Sequence, residues 1–208
     1  MSAAQLMHDL AQTPGSLVGL TVEQYHRMIE GGILEEGAPI ELLDGFLVRK
    51  DRAKAGEDPR TVNDEHIWAV ENLRRVLREV DARGYYLRLQ QPIVLPPDGE
   101  PEPDGAIVRG TLDDYRRRKP VAGDISCVIE VADSSLARDR GTKQRIYADA
   151  GIAQYVIINL VDREIEIYQR PLRGSGRFDE VHRRKGEETV SFAIGQSLIE
   201  VKAATLLP

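Results

Sequence analysis

Glu130 is the residue whose surroundings most demand a chemical explanation. It sits inside the apolar run 126–132, Ser-Cys-Val-Ile-Glu-Val-Ala, and the next polar residue is Asp133. A carboxylate in the middle of an apolar strand is costly unless it is paired or binds a metal. A second acid, Asp104, stands just ahead of the short apolar run Ala106-Ile107-Val108, and Lys143 follows Glu130 on a segment with helical character. Two carboxylates on neighbouring strands and one lysine suit metal-dependent hydrolysis of a phosphodiester. A hard cation such as Mg²⁺ takes carboxylate oxygens, and the lysine supplies a compact positive charge beside the phosphate.

These side chains need a scaffold, and the pattern of the chain predicts one. Thr21 and Gln24 have capping-box spacing, and Val22, Tyr25, Met28 and Ile29 form an apolar stripe. A helix is expected from Thr21, ending at Gly31-Gly32. Asp44-Gly45 between two apolar runs predicts a hairpin over 39–49. Residues 51–62 read as a loop. A long helix is expected over about 63–80, with Asn63 as N-cap and Ile67, Val70, Leu73, Val76, Leu77 and Val80 facing the core. A strand over 85–95 follows, in which Pro92 marks an edge or a break. After a Pro-rich turn come a short helix over 111–119, the buried strand 126–132, a helix over 139–150 stopped by Gly151, and a central strand over 154–160. Residues 163–170 alternate, with Ile165 and Ile167 on one face and Glu164, Glu166 and Tyr168 on the other, as in a half-buried strand. Residues 178–184 and 188–194 read as a hairpin-like pair, and the apolar tail 197–207 closes the fold.

At 208 residues the chain is long enough for one domain with a full core, expected over 21–208 behind a loose arm, 1–20. The net charge of -6 argues against a strongly basic nucleic-acid coat protein but allows a local basic cleft. Cys127 is the single cysteine, so no internal disulfide forms, which fits a cytoplasmic protein. The opening MSAAQLMHDLAQTPG lacks a basic segment followed by an apolar one, and no run approaches the ~20 residues of a membrane helix.

Several candidates also have ordinary readings. Glu41 is either a strand-edge charge facing water or a third acid of the same site. His66, in the first turn of a helix, reads as a solvated surface residue, with a phosphate contact as the other reading. Asp139, Lys143 and Tyr147 are spaced four apart and share a helix face, while Ile146 and Ala150 mark a second face. Lys143 could pair simply with Asp139, and Asp104 could cap a turn. Glu130 resists such an account because its neighbours are Val128, Ile129 and Val131.

The motifs Glu-Leu-Leu-Asp-Gly at 41–45, Pro-Glu-Pro-Asp-Gly at 101–105, Val-Ile-Glu-Val at 128–131, Asp139-x-x-x-Lys143-x-x-x-Tyr147 and Ala-Gly-Ile-Ala-Gln-Tyr-Val-Ile-Ile at 150–158 together resemble the Uma-two family. That family groups restriction-endonuclease-like proteins of the PD-(D/E)XK nuclease superfamily. The resemblance covers about 20–207. It implies an α+β fold, a restriction-endonuclease-like mixed sheet flanked by helices, with added β-hairpins. It also implies a Mg²⁺-dependent (or Mn²⁺-dependent) DNA endonuclease. Asp104, Glu130 and Lys143 would be catalytic. Asp104, Glu130, the Val131 carbonyl and Glu41 would hold metal, and Asp139 and Tyr147 would position Lys143. The chain departs from the superfamily pattern in one place, since Ala132 stands where Glu-x-Lys would put lysine, and the lysine moves to the next helix as Lys143. Arg116, Arg117, Arg118, Lys119, Arg138, Arg140 and Arg145 would gather around the acids to bind DNA, and a homodimer would match the symmetry of a duplex. The other function class is a non-catalytic nucleic-acid-binding or protein-interaction module on the same fold.

Overall fold

The computed structural model describes residues 17–50 and 64–208. The expected loop at 51–62, the Asn63 cap and most of the expected arm lie outside them. Helix α1, Val22–Glu30, forms as its cap signal predicts: Gln24 N–H donates to Thr21 Oγ1 at 3.2 Å and Thr21 N–H donates to Gln24 Oε1 at 2.8 Å. Strands β1, Ile40–Leu43, and β2, Phe46–Arg49, make the predicted hairpin. Its turn residues Asp44 and Gly45 have φ of 50° and 78°, as a two-residue turn of this hand requires. Gly45 is needed twice over. A Cβ there would lie 2.7 Å from the Cα of Gly19, and Leu20 N–H donates to the Gly45 carbonyl at 2.9 Å, so the chain ahead of α1 lies directly on the turn.

The centre is a six-stranded mixed sheet in the order β3 (Tyr85–Leu89), β4 (Gly105–Arg109), β5 (Ile125–Ala132), β6 (Gln154–Asn159), β7 (Glu164–Leu172) and β8 (Arg177–Arg184). All neighbours are antiparallel except β5 and β6. That parallel pair is joined by a helical crossover, as parallel strands require. The crossover comprises α3 (Leu136–Arg138), a π-helical turn (Asp139–Lys143) and α4 (Gln144–Ala150), ended by Gly151 at φ 77°. Side chains of β5 alternate between two cores. Cys127, Ile129 and Val131 meet helix α2 (Asp64–Val76) and the outer strands β9 (Thr189–Ile194) and β10 (Ser197–Lys202). Val128 and Ala132 meet Ile146, Tyr147, Tyr155 and Tyr168 beneath the crossover helix. A short helix α5, Ala203–Leu206, closes the chain.

Some expectations need correction. Helix α2 stops at Val76, and turns carry Leu77 and Val80 into the core. Ile67 is 48% exposed, because the inward stripe of α2 runs through 66, 69, 70, 73 and 77. The strand expected to reach Leu95 ends at Leu89, where Gln90 takes φ 49° two residues before Pro92. Only Leu112–Tyr115 of the short helix forms, as one 3₁₀ turn. The pairing of 178–184 with 188–194 does not form: β8 extends the main sheet beside β7, and β9 pairs with β10 so that Phe192 and Ile199 can cover the β5 face. Strand β7 is buried on both faces over Glu164–Tyr168, so Glu164 and Glu166 do not face water.

Candidate active site

The register of the sheet brings the two acids together. Gly105 pairs with Ile129 across β4 and β5, so Asp104, one residue earlier, stands opposite Glu130. Residues directly opposite in an antiparallel pair share a face. Asp104 Oδ2 accepts the Val131 N–H at 2.9 Å, which pins the acid to the end of β5. Asp104 Oδ1 lies 3.2 Å from His66 Nε2, brought in by the first turn of α2. Glu130 is buried and its Oε1 accepts from Lys143 Nζ at 2.8 Å and from the Tyr147 hydroxyl at 2.8 Å. The one-turn spacing of Lys143 and Tyr147 places both over the same carboxylate.

Glu41 completes the group from the hairpin. Its Oε1 accepts the Glu102 N–H at 2.8 Å and lies 3.3 Å from Lys143 Nζ. Its Oε2 is buried and has no hydrogen-bond partner among the described residues. Asp139 Oδ2 accepts from Ser135 Oγ at 2.5 Å, and Asp139 Oδ1 is also buried without a hydrogen-bond partner among the described residues. The π-helical turn buries Asp139 and Lys143 together, and such turns recur at functional sites.

Four carboxylates, Glu41, Asp104, Glu130 and Asp139, thus act on one lysine, Lys143, and His66 flanks the group at Asp104. Burial pushes Glu130 up to about 8, against the pull of Lys143 and with the help of Asp139, Asp104 and Glu41. Burial disfavours the Lys143 ammonium, but Glu130, Glu41 and Asp139 outweigh it and raise its pKa. Asp104 moves the other way: burial would raise it, yet His66, the Val131 amide and Lys143 hold it below the ordinary carboxylate value. Burial, with Glu130 beside it, keeps the Tyr147 phenol protonated and a donor. The cluster is short of positive charge, which buried acids meet by protonation or by a cation.

Of the predicted site residues, Asp104, Glu130, Lys143, Glu41, Val131, Asp139 and Tyr147 converge here. Tyr147 holds Glu130 and not Lys143, so its role differs from the expected one. The predicted basic residues do not form one surface around the acids. Arg140 is held by Glu166 at 2.7 Å and Asp162 at 3.1 Å, within a buried network that includes Asn159 and Tyr168. Arg145 pairs with Asp44 of the hairpin turn and with Asp149. Arg138 Nε is buried without a hydrogen-bond partner among the described residues, while Arg116, Arg117 and Arg118 are exposed near α1. The ordinary readings of two residues fail. Glu41 faces the site, not water. His66 turns inward to Asp104 against its solvated reading, and its signal was the inward stripe of α2, which counts back from Leu77, Leu73 and Val70 to position 66.

The sequence matches the Uma2 family, described as "Putative restriction endonuclease", over residues 22–199. No curated protein matches it. Among solved structures it resembles a protein from Anabaena variabilis ATCC 29413, described as "a putative nuclease belonging to DUF820". The two share 13% identity over 90% of this chain and 97% of that one, with a TM-score of 0.63, a likeness of fold. No helix among the described residues is long and apolar enough to cross a membrane.

Proposed function

Since the chain belongs to the Uma2 family, we propose that it is a divalent-metal-dependent DNA endonuclease of the PD-(D/E)XK type. The observation that carries this reading is the placement of Asp104 opposite Glu130 in the β4–β5 register, with Lys143 and a buried Glu41 oxygen, partnerless among the described residues, beside them. The donor set is all oxygen, which suits a hard cation such as Mg²⁺ or Mn²⁺. Among the described residues no three His, Cys, Asp or Glu side chains converge as a ready-made cage. Mg²⁺ retains several waters and needs only one or two carboxylates, so Asp104 and Glu130 suffice, with Glu41 and the Val131 carbonyl adjacent. When bound, such an ion lowers the pKa of a water and offsets charge on the phosphate.

The chain's own residues do the rest. His66 and the Val131 N–H fix both oxygens of Asp104 and keep it ionised. Tyr147 orients Glu130 from behind. Lys143, buried beside the acids, holds a fixed positive charge at the end of β5, where a phosphoryl oxygen would gather charge. Asp139, anchored by Ser135, adds to the field that keeps this lysine charged. Cutting both strands of a duplex calls for two such clefts, so a homodimer is part of the proposal.

One observation favours a second reading. Lys143 already reaches both Glu130 and Glu41, which is how a structural ion pair in a non-cutting interaction module would look. Incubation of supercoiled plasmid with Mg²⁺, Mn²⁺ or EDTA separates the two. The nuclease reading expects nicked or linear product with either ion, none in EDTA, and none from Asp104→Asn. An intact plasmid under all conditions, with linear and single-stranded DNA equally untouched, favours the module.

A further inference from the structure

We propose that the groove between α1 and residues 115–121 is a binding site for the sugar–phosphate backbone of the nucleic-acid strand that runs to the acidic cluster. The groove encloses about 710 Å³. One wall is His26, Ile29 and Glu30 of α1, the other is Arg116, Arg117, Arg118 and Lys119, so cations outnumber the single lining acid, and Arg88, Val94, Tyr115 and Val121 also line it. Among the described residues, two of its cations, Arg88 and Arg117, have no carboxylate partner. Arg88 Nε is buried and has no hydrogen-bond partner among the described residues, with the Tyr86 hydroxyl beside the same guanidinium. Arg116 pairs with Asp113, Arg118 with Asp124 and Lys119 with Glu100, whereas among the described residues no carboxylate pairs with Arg117. An unpaired buried guanidinium N–H costs free energy that an incoming phosphate oxygen recovers through a charge-assisted hydrogen bond. The apolar side chains beside these cations, with the Tyr115 ring under the Arg118 guanidinium at 4.5 Å, suit a sugar or base attached to that phosphate better than a free anion.

The groove is also connected to the candidate site. Glu100 is held at its rim by His26 at 2.5 Å and by Lys119, and four residues later the same extended segment ends at Asp104. Four residues span at most about 14 Å. At the ~3.4 Å axial rise per nucleotide of a duplex strand, a phosphate at the rim lies within about four nucleotides of the acids. This placement on the substrate strand rests on the nuclease reading; the binding itself does not.

The test is fluorescence anisotropy of a labelled 16-mer, single-stranded and duplex, with the full chain in EDTA across 50–200 mM salt. Arg117 is exposed and has no carboxylate partner among the described residues, so Arg117→Glu leaves the fold intact; Arg88→Met removes the half-buried guanidinium. Each is expected to weaken binding on the order of tenfold and to lower the slope of log affinity against log salt by about one. Arg170→Ala, on the distant strand β7, is expected to leave both unchanged. Wild-type affinity and slope in both groove variants would overturn the inference. Because binding is read without metal, a chain that binds through the groove yet never cuts keeps this inference and loses the nuclease reading. A chain that cuts, with affinity unchanged in the groove variants, does the reverse.

Discussion

Glu130→Gln removes the charge at the centre of the cluster with little change of shape. Tyr147 and Lys143 can still donate to the amide oxygen, and Lys143 keeps Glu41 at 3.3 Å. The magnitude follows from the raised pKa. With the folded carboxyl at about 8 and the unfolded one at 4.5, the unfolded chain holds fewer protons between those values, so wild-type stability falls as pH rises through that window. From pH 4.5 to pH 7 this amounts to roughly 3 kcal/mol, which for a chain of this size is roughly 6–12 °C in Tm. Glutamine does not titrate, so the variant is expected to lose this slope and, at pH 7.5 in EDTA, to melt no earlier than wild type. Mg²⁺ at about 100 times its Kd should stabilise wild type by ~2.7 kcal/mol and the variant far less. Differential scanning calorimetry of both proteins across the window between the two pKa values, with EDTA or with saturating Mg²⁺, reads all of this. The reasoning is refuted if wild type ignores the ion while the metal-free variant melts several degrees earlier, because the pair would then be structural and its loss would strand the lysine.

Other perturbations have defined outcomes. Lys143→Met leaves Glu41, Glu130 and Asp139 without their shared cation and is expected to cost about 3–5 kcal/mol at pH 7.5, read as a lower urea midpoint, with recovery toward pH 5 as the acids protonate. Arg140→Met strands the fully buried Glu166 and should cost about 3 kcal/mol by urea unfolding, while oligonucleotide affinity stays at the wild-type value; a loss of affinity alone would return Arg140 to the DNA contacts. Gly45→Ala forces a side chain into a left-handed backbone and onto Gly19, and a loss of at least about 1–2 kcal/mol is expected in thermal melts.

The local elements were legible in the sequence wherever short-range chemistry decides them. The capping box of Thr21 and Gln24, the Asp44-Gly45 turn, the stop at Gly151 and the apolar run around Glu130 all appear in the structure as read, because each depends on residues within one turn or one strand. Glu130 itself was identifiable because nothing local could neutralise it. What partners it was not. The choice between a solvated and a site role for Glu41 and His66 depended on where a hairpin and a helix dock on the sheet, more than sixty residues away for Glu41 and Glu102. The basic residues show the same limit. Sequence placed Arg140 and Arg145 near the acids, but only the β6–β7 register set Glu166 in the row of Ile157 and Glu130 and so claimed Arg140 for a buried ion pair. Charge and periodicity reveal that a side chain needs a partner; because partners come from strands and helices far apart in the chain, only tertiary packing decides which one it receives.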